Sequence, residues 1–198
     1  MDTIVFFIFL LLCIGLALSV FRKPPFSLRA KIVRIIIVVI SFGFFAYWFV
    51  QRSSVVFLQD SMTMQIINKL PQPMDIYVIK IRKDVKDDAE KFELKHLGKI
   101  RPEHYRLEYL KMDNSDEYWV AGYLGKKNMV YFSQHSVPNK NMDQVLEINN
   151  YINQSSRLSN IAAKQIQIYK ERYMSSSVWV TLSFLLLFMN LVLLFKRK

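Results

Sequence analysis

"FRKPPFSLRAKIVR", residues 21–34, decides how the rest of this chain is arranged. It carries five basic residues, Arg22, Lys23, Arg29, Lys31 and Arg34, and no acidic one. Before it lies "TIVFFIFLLLCIGLALSVF" (3–21) and after it "IIIVVISFGFFAYWFV" (35–50), both free of charge. A third uncharged run, "SVWVTLSFLLLFMNLVLLF" (177–195), precedes the terminal "KRK" (196–198). A helix rises about 1.5 Å per residue, so roughly 20 apolar residues match a hydrocarbon core of about 30 Å. The first and third runs meet that length. The second reaches it by including Ile32 and Val33, with Lys31 and Arg34 snorkelling back to the interface. Three helices that are apolar all round do not suit a soluble fold of 198 residues.

An excess of Lys and Arg marks the cytoplasmic side of a membrane protein. Residues 22–34 therefore form a cytoplasmic loop, and 196–198 a cytoplasmic tail. Residues 51–176 and the N-terminus, with its acidic Asp2, lie on the other side. The formal charge of +11 divides accordingly: +5 in the loop, +3 in the tail, −1 at Asp2 and +4 over 51–176. The basic balance is thus a topology signal and not a nucleic-acid footprint. Tyr47, Trp48 and Trp179 fall at the outer ends of the second and third runs, where aromatic rings collect. Pro24 and Pro25 force the cytoplasmic turn. The first run lacks the basic start and small-x-small ending of a secretory signal, so it is expected to be retained. The localisation implied is an inner (plasma) membrane, three-pass.

The segment 51–140 reads as β-rich. "MTMQIINKL" (62–70) and "MDIYVIKIR" (74–82) are rich in strand-forming residues and are separated by "PQP". In "EHYRLEYL" (103–110), Tyr105, Leu107 and Tyr109 share one face and His104, Arg106 and Glu108 the other. That alternation predicts a half-buried strand. "EYWVAGYLGKKNMVYFSQH" (117–135) predicts a hairpin about "GKKN". "KDVKDDAEKFE" (83–93) is expected to be a loop or a short surface helix. The fold class implied is an α+β integral membrane protein. It has three transmembrane helices and a β-rich extracytoplasmic domain, antiparallel and sandwich-like, of five or six strands.

Residues 141–176 contain no Gly and no Pro. Val145, Ile148, Ile152, Ser155, Ser159, Ala162, Ile166, Tyr169 and Tyr173 recur at spacings of three and four. This predicts a helical stalk from about 142, running without a break into the third span. The stripe either packs on the domain's own sheet or meets a partner. In the second case Val145, Ile148, Ile152, Ala162, Ile166 and Tyr169 are the candidate contact residues.

A search for reactive constellations yields none. His96, His104 and His135 form no helical metal pair, and no HExxH, phosphate loop or GxSxG elbow occurs. On a strand, His104 and Glu108 would stand about 13 Å apart. Ser133 beside His135 is an ordinary neighbour. Cys13 is the sole cysteine, so neither a disulfide within the chain nor a Cys-based metal site is expected. No cofactor, metal or catalytic residue is assigned.

The runs themselves hold no Asp, Glu, Lys, Arg or His, which argues against an ion-coupled pump. Small and polar positions suit helix packing: Gly15 with Ser19, Gly43 with Ala46, and above all Asn190, whose amide needs a partner in lipid. The function expected is that of a non-catalytic accessory, assembly or scaffold subunit of a membrane complex. Its partners would be other membrane proteins or further copies of itself within the bilayer, and no nucleic acid. The alternative is an extracytoplasmic ligand sensor or receptor that signals through another membrane protein.

Overall fold

The computed structural model describes residues 2–20, 26–54, 62–83, 91–112, 114–125, 127–140 and 142–195. The expectations for Pro24, Pro25, most of "KDVKDDAEKFE" and the tail fall outside them. The chain is α+β, with three helices and two sheets. It divides into two units, Leu58–Lys170 and Met1–Phe57 with Glu171–Lys198.

The first unit begins with β1 (Met62–Asn68), where burial alternates residue by residue. Met62, Met64, Ile66 and Asn68 point inward, while Thr63, Gln65 and Ile67 point outward. β2 (Met74–Ile81) and β3 (Phe92–Ile100) follow, then β4 (His104–Leu110), β5 (Glu117–Leu124), β6 (Asn128–Ser136) and β7 (Gln144–Ile148). One sheet has the order β4-β1-β7 and the other β3-β2-β5-β6. Every pairing is antiparallel except β1 with β7, which is parallel. Ile66, Ile76, Val78, Leu97, Val120 and Ile148, drawn from both sheets, form the sandwich core between them. Gly98, at φ 80°, sits at the irregularity in the β2–β3 register; a Cβ there would lie 2.9 Å from an Arg106 guanidinium nitrogen. Only glycine fits that turn of the strand at low cost.

α3 (Ser156–Phe195) covers the far face of the four-stranded sheet with its first turns. Ala162 and Ile166 are buried there with Tyr77, Ile79, Trp119 and Phe132, and Leu158, Ile161 and Tyr169 flank them. α3 starts at Ser156 and not near 142. The Ser155 hydroxyl caps it by accepting the Leu158 N–H, and the Asn153 carboxamide oxygen holds the Ser155 N–H. Residues 144–148, expected to be helical, form β7 instead, because the open edge of β1 offers Gln144–Ile148 a ladder of backbone partners. From 156 onward the helix is unbroken, and residues 174–177 lie within it.

Burial keeps several phenols neutral. It pushes Tyr118 and Tyr123 up to about 12, and it also raises Tyr77 and Tyr131. An unfolded tyrosine ionises near pH 10, so between pH 10 and about 12 the unfolded chain has lost protons that the folded one keeps. Stability from these groups is complete below pH 10 and drains away across that window. Ultraviolet difference titration should therefore show these phenols ionising together with loss of β-sheet signal. Ionisation near pH 10 with the fold intact would contradict their burial.

The second unit holds α1 (Asp2–Leu18), α2 (Phe26–Ser54) and the later turns of α3. Asn190 of α3 meets Leu12 of α1 and Arg34 of α2, while Trp179, earlier on α3, meets Phe6 and Phe9. Phe184 packs on Phe45. α1 thus runs in the same direction as α3, and α2 runs against both. Two helices are long and apolar enough to cross a membrane: α2, over Leu28–Val50, and α3. α1 is shorter than the run 3–21 suggested, with Ile4–Leu18 as its apolar part.

Candidate functional site

Strand parity builds the site. β1 must place Met64 and Ile66 in the core, and its register sets Glu108 and Arg106 of β4 beside them. Tyr105, Leu107 and Tyr109 are therefore turned outward, opposite Ile67, Gln65 and Thr63. On the other flank Gln65 pairs with Val145 of β7, and Ile67 with Glu147. The outer face of the three-stranded sheet thus carries Tyr105, Leu107 and Tyr109 on one edge strand and Val145 on the other. Their exposures are 61%, 49%, 41% and 63%. β4 is therefore not the half-buried strand expected: His104 and Arg106 on the other face are exposed as well, and there only Glu108, in an ion pair with Lys95 of β3, is partly buried.

Among the described residues of the β-rich unit, the exposed large hydrophobic side chains are Tyr105, Leu107, Tyr109, Met142, Val145, Tyr151 and Ile152. All lie on β4, on β7 or in the segments leading into and out of β7. At one end of the face the Lys69 ammonium pairs with Glu103 at 2.8 Å, near Glu147, and at the other the Asp143 carboxylate accepts the Thr63 N–H at 3.1 Å.

The six stripe residues are divided by this arrangement. Val145 stands on the open face and Ile152 is exposed after β7, while Ile148 is in the sandwich core. Ala162 and Ile166 are buried on the four-stranded sheet and Tyr169 packs beside them. Tyr105, Leu107 and Tyr109 were visible as a set in the sequence; which way they faced was not.

Other polar groups are engaged locally. His96 Nε2 lies 2.7 Å from Asp75, and the Tyr77 hydroxyl donates to the same carboxylate at 3.1 Å. The Lys170 ammonium sits 4.9 and 4.7 Å from the ring centres of Tyr77 and Tyr123. Ser133 Oγ and His135 Nε2 are 2.7 Å apart. Burial lowers the His135 pKa, and Ser133 is 1% exposed, so its hydroxyl faces the core and not a substrate. His104 Nδ1 lies 2.7 Å from the Pro102 carbonyl oxygen and does not join Glu108. Among the described residues no three His, Cys, Asp or Glu gather as metal ligands.

In the helical unit Asn190 is the common node. Its carboxamide nitrogen donates to the Leu12 carbonyl at 3.1 Å and to the Leu186 carbonyl at 3.0 Å, and the backbone carbonyl of Asn190 accepts from Arg34 at 3.3 Å. Gly15 leaves room for it: a Cβ there would stand 3.3 Å from Asn190 Oδ1. Ser19 lies in the turn after α1 and is half-buried, and Gly43 faces open space. Arg34 is buried on the face that also carries Ala30, Ile37, Ser41 and Phe45. Trp48, Phe49, Tyr173, Ser176, Ser177 and Val180 line an open cleft of about 340 Å³ in the same unit. The chain matches no protein-family model, no curated protein and no solved structure.

Proposed function

We propose that this chain is a non-catalytic accessory, assembly or scaffold subunit of a membrane protein complex, and that it recognises another protein through the outer face of the β4-β1-β7 sheet. The observation that carries the reading is the exposure of Tyr105, Leu107, Tyr109 and Val145 on that face, in a unit whose other sheet is covered by α3. Two helices long and apolar enough to cross a membrane support a bilayer location. The three-pass arrangement, with the loop 22–34 and the tail in the cytoplasm, rests on the lysine and arginine distribution. The opposed directions of α1 and α2 agree with it.

The test is the paired substitution Tyr105→Ser with Leu107→Glu in the full-length protein, purified from native membranes in mild detergent. Both positions are exposed, so unfolding free energy should move by no more than about 1 kcal/mol, the sum of two surface changes. Losing two central anchors is expected to cost more than about 2 kcal/mol of association, a fall of roughly 30-fold in co-purified partner. A wild-type chain recovered alone and monomeric would refute the reading. So would a partner retained equally by the variant.

A further inference from the structure

The edge of β6 seats the start of α3. The Phe132 N–H donates to Ile152 O at 2.7 Å, the Phe132 carbonyl accepts the Gln154 N–H at 3.1 Å, and the Gln134 N–H donates to the Gln154 side-chain oxygen at 2.8 Å. One residue further on, the Ser155 hydroxyl caps the helix. Residues 152–154 and the first turn of α3 thus depend on the course of β6.

The other face of the same strand turns Tyr131, Ser133 and His135 into the sandwich. Tyr131 and Ser133 are buried there. Ser133 Oγ lies 2.7 Å from His135 Nε2 and also shares a hydrogen bond with the Tyr131 hydroxyl. The His135 ring stacks on buried Tyr118 of β5, with centres 5.1 Å and planes 18° apart. A neutral imidazole suits this setting: Nε2 accepts the Ser133 proton, and Ser133 accepts that of Tyr131. A proton added at Nε2 reverses the first bond and brings a charge among aromatic and aliphatic side chains. Among the described residues no carboxylate is paired with His135. Along its row of the sheet, Tyr118 is followed by Lys80, which is ion-paired with Glu93. Asp116, whose carbonyl accepts the Val137 N–H, is held by Lys83 and Lys140. From the facing sheet β7 turns Gln144, Leu146 and Ile148 inward, none of them charged. Burial accordingly lowers the His135 pKa.

We propose that His135 is a proton sensor: its protonation distorts β6 and releases 152–154, so that acid around the β-rich unit unseats the first turn of α3. Opening β6 exposes the imidazole, which then titrates near 6.5, while the closed form titrates lower. The closed form is therefore fully favoured above pH 6.5 and gives way as the pH falls through the lower value.

The test is hydrogen exchange read by peptide mass spectrometry on the full-length chain in mild detergent, stepped from about pH 7.5 to about pH 4.5. Rates are divided by the intrinsic rate at each pH, so that protection is compared. The expected result is a fall of roughly 10-fold or more in protection over 132–134 and 152–159, while β1 and β4 keep theirs. His135→Gln keeps a hydrogen-bonding side chain that takes up no proton, and in it the fall should vanish. In His96→Gln and His104→Gln it should remain. If His135→Gln does not fold at pH 7.5, Ser133→Ala takes its place: loss of the donor to Nε2 should move the transition to higher pH. A response that persists in His135→Gln, that vanishes with His96 or His104, or that keeps its midpoint in Ser133→Ala overturns the proposal. Equal loss of protection in β1 and β4, or no loss anywhere, overturns it as well.

Discussion

Phe132→Ala is expected to destabilise the β-rich unit by about 3–5 kcal/mol, the range for deleting a large aromatic from a packed core. Phe132 is fully buried at the centre of β6, and its ring meets Trp119 edge-on with centres 5.7 Å apart. It belongs to the same cluster as Ala162 and Ile166, so the substitution loosens both the sheet and the seat of α3. Its backbone also ties down the chain after β7: its N–H donates to Ile152 O at 2.7 Å and its carbonyl accepts from Gln154 at 3.1 Å. Truncation leaves those two bonds intact and removes the packing behind them. A unit of this size loses about 4 °C or more per kcal/mol, so the melting temperature should fall by more than roughly 12 °C. Tyr105→Ala, on the open face, serves as the control and should shift it little. A loss below about 1 kcal/mol at Phe132 would mean that α3 is not packed on this sheet.

Asn68→Ala should rank close behind, at about 3 kcal/mol, because it strands two buried backbone groups and a partly buried third. Asn68 is fully buried at the end of β1. Its carboxamide nitrogen donates to Gln72 O at 2.9 Å and Ile100 O at 3.0 Å, and its oxygen accepts the Leu70 N–H at 3.1 Å. The residue thus closes the "KLPQP" turn and pins the end of β3 to it. Each stranded group costs about 1–3 kcal/mol, and neighbouring losses do not add in full. Thermal unfolding and amide hydrogen exchange at Leu70 check the prediction. If exchange at Leu70 were unchanged, the carboxamide could not be its acceptor.

Much of the strand pattern is legible from strand-forming residues and the turns between them, which give β1, β2 and the β5–β6 hairpin, while alternation gives β4; β2 and β5 are buried on both faces and do not alternate. β3 is not legible in this way: "FELKHLGKI" mixes charge and apolar residues because only Leu97 and Ile100 enter the sandwich core, while Phe92 and Leu94 pack with the α3 cluster. β7 reads as helix because Val145, Ile148 and Ile152 continue the spacing of Ala162 and Ile166. The spacing is accidental across the Ser155 cap. Arg34 reads as interfacial because the apolar run beside it is short, and no local pattern shows that Asn190, 156 positions away, offers it a carbonyl.

By itself the sequence determined the uncharged runs, the segregation of basic residues around them, and the strand alternation between them, since each is a property of neighbouring side chains. Only the tertiary structure decided the rest: which face of β4 turns toward β3, where α3 begins, and what Asn190 and Arg34 hold. The physical reason is that burial on a strand is a choice between two equivalent faces. Nothing in "HYRLEYL" distinguishes them until β1, with its methionine and isoleucine committed to the core, imposes its register from some forty residues away.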